Sequence, residues 1–139
     1  KIALSLFMLL FILSSGFAQK EEAKKEVKST KPVIRFDTTM YNYGKIPYKG
    51  DGTCIFRFIN TGKEPLLLTK VRASCGCTTP SWPKEPIKSS NADTIKVKYN
   101  TRLRGNFSKS IRVYSNAKNS PILLRIKGKV VDKKTADKQ

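Results

Sequence analysis

Two cysteines one residue apart, in the run Ser74-Cys75-Gly76-Cys77-Thr78-Thr79-Pro80, are the residues of this chain best placed to do chemistry. Three readings of the pair stand. The first is redox. A disulfide between residues two apart closes a very small ring, and the preferred Cα separation of about 4.4–6.8 Å is hard to reach there, so strain favours reduction. Strained, exposed disulfides are the more oxidising and labile ones. Gly76 supplies backbone freedom for such a ring, and Lys70, Arg72 and Lys84 are near in sequence, with the charge that lowers a thiol pKa. The second is soft-metal binding, since two thiolates suit Cu(I) or Zn²⁺. Structural zinc takes four N or S ligands. This chain has three cysteines and no histidine, so an intramolecular zinc would recruit Cys54 or a carboxylate. Two-coordinate Cu(I), or a site shared between chains, would not need them. The third is structural: thiols pack as small apolar groups, and Gly76 turns the chain between strands. Cys54 shares a strand face with Phe56 and Phe58, which is the setting of a buried free thiol. Three single pairings among the three cysteines are possible, and spacing does not choose between them.

Other chemistries are excluded by composition. Without histidine there is no Ser-His-Asp or Cys-His arrangement. The carboxylates of the central region, Asp37, Asp51, Glu64, Glu85 and Asp93, form no close pair in sequence, so paired-carboxylate hydrolysis has no support. No glycine-rich loop opens a helix to cradle phosphates. The chain therefore reads as non-enzymatic, with no cofactor. Around the cysteine pair, Ser74, Thr78, Thr79 and Trp82 form a candidate partner-binding loop. Trp82, flanked by Pro80 and Pro83, either anchors a partner or covers the open end of the fold.

The elements that must hold this loop are strands. Apolar residues recur with period two between turn residues. The runs are 33–36, 53–59 (Cys54, Phe56 and Phe58 on one face), 66–73, 94–99 (Ile95, Val97, Tyr99), 107–114 (Ile111, Val113) and 122–131 (Ile122, Leu124, Ile126, Val130), with a further short strand near 41–46. The joints 49–52, 60–65, 89–93 and 115–121 are rich in Gly, Asn, Ser and Pro. About seven short strands in about a hundred residues point to an all-β, immunoglobulin-like antiparallel β-sandwich. The usual Cys-Trp-Cys core of antibody-type domains is missing: Cys54 has no cysteine on the last two strands to meet it, and Trp82 lies in a Ser-Trp-Pro loop.

Residues 2–17 are almost entirely apolar behind Lys1, and small residues precede Gln19. A positive start, an apolar stretch too short to span a bilayer and a small-residue cleavage site read as a secretory signal peptide over 1–18. Residues 19–32 read as a charged flexible linker and 132–139 as a disordered tail. Between them, 33–131 is one domain. The mature protein is then periplasmic or extracellular, has no transmembrane segment, and meets an oxidising environment. The 139-residue chain carries 28 Lys and Arg against 10 Asp and Glu, a net charge of +18. Such a field attracts polyanions. The basic residues are spread over every segment, and several alternate with apolar ones, as on solvated strand faces. They point to no specific nucleic acid.

Several runs resemble the bacterial exported family called domain of unknown function 1573. They are Phe36-Asp37, Tyr43-Gly44-Lys45-Ile46, the stretch 56–66 with Asn60-Thr61-Gly62, the stretch 74–80 with Cys75-Gly76-Cys77-Thr78, and Ile126-Lys127-Gly128. The Phe-x-Phe-x-Asn-Thr-Gly pattern also resembles Ig-like modules of chaperone-like and cilium-associated proteins. The resemblance implies the fold, export and a Bacteroidetes-like source, and no reaction. The leading expectation is an exported domain that binds or stabilises an envelope protein or a polyanionic envelope component. The alternative is thiol redox or soft-metal handling at Cys75 and Cys77. Oligomeric state is left open.

Overall fold

The computed structural model describes residues 29–136. The expected signal peptide, most of the expected linker and the end of the tail lie outside the described residues. Ties to the domain begin at Thr30, whose carbonyl accepts from the Glu64 N–H at 3.1 Å. The buried Pro32 accepts at its carbonyl from Lys118 N–H at 2.9 Å.

Eight strands follow: β1 (Ile34–Phe36), β2 (Met40–Pro47), β3 (Thr53–Asn60), β4 (Leu68–Ala73), β5 (Thr78–Ser81), β6 (Ala92–Tyr99), β7 (Gly105–Ser115) and β8 (Ile122–Val131), then one helical turn, α1 (Lys133–Ala136). They form two four-stranded sheets, β1-β3-β6-β5 and β2-β8-β7-β4. The all-β, immunoglobulin-like sandwich is as expected. Two details differ. The eighth strand, β5, lies in a segment that reads as loop. It holds Pro80 and shows no apolar alternation, and it is extended because it pairs Thr78 to Tyr99 through Ser81 to Lys96 along β6. The sheets are also not wholly antiparallel, since β2 runs parallel to β8. Only residues 37–39 separate β1 from β2, yet the two strands lie in different sheets, so this short link carries the chain across the sandwich.

Period-two alternation builds the core. Cys54, Phe56 and Phe58 of β3 and Ile95, Val97 and Tyr99 of β6 face Phe107, Ile111 and Val113 of β7 and Leu124, Ile126 and Val130 of β8, all buried. Tyr99 stacks on Phe107 across the two sheets, ring centroids 3.8 Å apart. Gly128 pairs with Phe107, and a Cβ there would press on the Phe107 ring and on Tyr43 at 2.9 Å. The small residue leaves room for those two rings.

One buried polar side chain joins the loops at the end of β3. Asn60 is completely buried. Its Oδ1 accepts from Gly62 N–H at 3.0 Å and Val33 N–H at 3.4 Å. Its Nδ2 donates to the Glu64 carbonyl at 2.8 Å and the Ile87 carbonyl at 3.1 Å. An amide offers two donors and two acceptor sites, so this side chain is fully used. Gly62 completes the arrangement. A Cβ at that position would collide with the backbone of Lys31, Pro32 and Val33, so only glycine admits the incoming chain.

Replacing Asn60 with Ala removes this partner from the buried Gly62 N–H, the part-buried Val33 N–H and the Glu64 carbonyl, while the Ile87 carbonyl keeps the Leu66 N–H. The expected loss is about 2–4 kcal/mol, read as a lower urea midpoint with an unchanged slope. A loss below about 1 kcal/mol would show that water replaces the amide.

Candidate functional site

The loop begins where β4 ends. Ser74 N–H donates to the Ser110 carbonyl at 2.9 Å, and Ser110 N–H donates back to Ser74 Oγ at 3.2 Å. Those bonds tie the loop's first residue to β7. Cys75 and Cys77 are joined in a disulfide with a Cα separation of 5.3 Å. That lies inside the ordinary range, so the expected difficulty in reaching a normal separation does not arise. Thr78 N–H closes the turn on the Cys75 carbonyl at 3.4 Å, and Asn100 N–H donates to the Cys77 carbonyl at 2.8 Å. Both sulfurs are half-buried. Gly76 is exposed, a Cβ there would meet nothing within 4 Å, and Gly76 is not among the residues with positive φ. The freedom expected of it is therefore not what this turn requires.

The other loop residues divide. Ser74 and Thr79 are exposed. Thr78 is buried, and its hydroxyl lies 3.8 Å from each sulfur. This corrects its place in the expected partner-binding set, because its side chain packs inside the turn. Trp82 is half-buried and packs against the core. Lys84 Nζ stands 3.2 Å from the centroid of its ring, a cation–π contact. Lys84 is thus engaged with Trp82. Arg72 lies instead in a shallow groove of about 230 Å³, lined by Arg72, Ala73, Ser74, Ser110, Arg112 and Tyr114 with Leu123 at its side. Pattern reading did not find this groove. Its signal was the exposed parity of Arg72 and Arg112, which acquires meaning only once β4 pairs with β7.

Cys54 is a buried free thiol, away from the disulfide pair. Burial pushes its pKa up, and the Tyr43 hydroxyl beside it works the other way. Tyr43 donates to the Gly52 carbonyl at 2.7 Å. Burial, and then the neighbouring Cys54, hold its pKa far above the usual phenol range. Burial also raises Tyr99. Among the described residues no group of three or more His, Cys, Asp and Glu side chains could hold a metal ion, and no helix is long and apolar enough to cross a membrane.

The family described as "Protein of unknown function (DUF1573)" matches residues 34–130. Among curated proteins no sequence matches. The fold is similar to that of a crystal structure of a protein of unknown function from Porphyromonas gingivalis W83, at 13% identity and a TM-score of 0.67, covering 77% of this chain and 51% of that one. This chain therefore spans about half the length of that relative. It is also similar to an ASH / PapD-like domain of human CEP192 (8% identity, TM-score 0.63, 84% of this chain and 98% of that one). A third similarity is to the CsuC-CsuE chaperone-tip adhesion subunit pre-assembly complex of Acinetobacter baumannii (15% identity, TM-score 0.51, 72% of this chain and 57% of that one).

Two outcomes are expected. The ring closed by Cys75 and Cys77 spans three residues, and closing so small a loop restricts the unfolded chain by about 1.6 kcal/mol. Cys75→Ser with Cys77→Ser should therefore cost about that much in chemical denaturation and leave the circular dichroism spectrum unchanged. A cost above about 4 kcal/mol would make the pair a principal staple of the fold. The second concerns pH. Cys54, Tyr43 and Tyr99 all keep their protons to higher pH folded than unfolded. Their contribution is complete below the unfolded thiol and phenol values of about 8.5–10 and is lost as pH climbs beyond them. Thermal midpoints should fall progressively above about pH 9, and Tyr43→Phe should flatten that fall; an identical slope in the variant would refute the assignment.

Proposed function

We propose that this chain, which belongs to the DUF1573 family, is an exported binding domain that captures an extended segment of another envelope protein along the free edge of β4, beside the disulfide turn. The apolar stretch at 2–17 supports export. The observation that carries the binding reading is the state of the four sheet edges. Unpaired strand edges are templates for pairing with another chain. β1 is covered, because the Asn119 side chain accepts from Ile34 N–H at 3.2 Å and donates to its carbonyl at 2.8 Å. β2 is broken by a bulge between Asn42 and Lys45, with Gly44 at φ 62°, and ends in Pro47. β5 is four residues long and contains Pro80, which has no N–H to give. β4 contains no proline; its register shifts between Leu68 and Lys70, and beyond that shift Lys70 to Ala73 pair without interruption with β7 on one side. Its other side has no strand partner among the described residues. The similarity to a chaperone–subunit complex is in keeping with this reading, at the level of fold.

A second reading rests on the disulfide itself. Two half-buried sulfurs on a turn, two residues apart, suit reversible thiol–disulfide exchange with another dithiol, and once reduced they are a soft-metal pair.

Photo-crosslinking in the source cell separates the two. A benzophenone side chain at the exposed Thr69 of β4 should give one defined envelope-protein adduct, retained in Cys75→Ser with Cys77→Ser. The same probe at Arg57, on the other sheet, should give none. Equal labelling from both positions would remove the β4 reading, and loss of a defined adduct only in the cysteine variant would favour the redox one.

A further inference from the structure

The sheet β2-β8-β7-β4 contains no carboxylate. Its strands carry Lys45, Lys70, Arg72, Lys109, Arg112, Arg125, Lys127 and Lys129, and all of these except the half-buried Lys109 are exposed. The two ion pairs among the described residues, Arg57 with Asp37 and Arg104 with Asp132, use no residue of this sheet. Seven of these basic residues, all but Lys109, which shares the inward parity of Phe107 and Ile111, stand on the outer face of a sheet that lacks counter-charge.

The concentration is sharpest at the β4 edge. Arg72 stands directly opposite Arg112, and Lys70 opposite Tyr114. Like charges directly opposite each other on neighbouring strands are destabilising. The groove holding this pair is rimmed by Ser74, Ser110 and Tyr114, all groups able to hydrogen-bond an anion. A strand added beyond β4 would lie about 4.8 Å away. One of its outward residues would then stand opposite Arg72 and another, two positions along, opposite Lys70. Its alternate residues would face inward beside Val71, which is buried, and Ala73, which is half-buried.

We infer that the segment β4 accepts is an acidic strand, with Asp or Glu at every second position and apolar residues between. This deepens the edge-docking reading and rests on it. An acidic polysaccharide would match the arginines but offers no N–H and C=O groups at strand spacing, so the free edge favours a peptide.

The test measures binding of synthetic peptides to the full chain by fluorescence anisotropy. One peptide alternates Glu with Val, a second Gln with Val, a third Lys with Val, and a fourth is the Glu–Val peptide N-methylated along its backbone. The Glu–Val peptide should bind about tenfold more tightly than the Gln–Val one, the sum of two or three cross-strand charge pairs. Arg72→Glu with Arg112→Glu, both at exposed positions that leave the core intact, should reverse the preference towards the Lys–Val peptide. Equal affinity for Glu–Val and Gln–Val, or a preference unmoved by the charge reversal, overturns the acidic assignment while edge docking stands. Undiminished binding of the N-methylated peptide overturns edge docking, and the inference with it. So does binding of polygalacturonate at Arg72 and Arg112 with no peptide binding at all.

Discussion

Asn60 spends its whole hydrogen-bonding capacity on the backbone of three segments: the chain entering β1, the turn that follows β3, and the stretch before β6 that includes Ile87. Each of these segments is irregular, and apart from the single bridge between Leu66 and Ile87 none lies in a sheet ladder. A buried amide at their junction does what a ladder would have done. It also sets where the chain enters and leaves one end of the sandwich. Leu66 and Ile87 then bond each other's backbones, at 2.8 and 2.7 Å, and β4 starts in the place where it can pair with β7. The β4 edge is thus placed from the far end of its own connection.

The strands with a clear period were legible, because alternation of Cys54, Phe56 and Phe58, or of Ile95, Val97 and Tyr99, has no other physical solution than a half-buried strand. The Asn-Thr-Gly turn was legible as a turn. That its asparagine is buried was not, since the partners at Val33 and Ile87 are distant in sequence and only folding brings them there. β5 was illegible for a related reason: Thr78-Thr79-Pro80-Ser81 has no pattern of its own and takes its conformation from β6. Which of the three pairings forms was not legible: Cys75 pairs with Cys77 in the turn, and Cys54 stays a free thiol buried on β3.

The disulfide turn and the β4 edge are parts of one construction. Ser74 is both the last residue bonded to β7 and the first of the turn, and it rims the groove that holds Arg72 and Arg112. A ring of three residues leaves little freedom between β4 and β5, so the edge has a fixed end. A docked strand would meet a preformed terminus, with little loop ordering to be set against its binding.

The charge on β4 also governs how copies of the protein treat one another. An open, proline-free edge is the usual starting point for sheet-to-sheet association of identical molecules. Two such edges brought together antiparallel would set Lys70 and Arg72 of one copy against the same residues of the other, with no carboxylate on either strand to relieve them. The same side chains proposed to meet an acidic segment penalise self-assembly, and the domain can leave one edge open without becoming the seed of a filament.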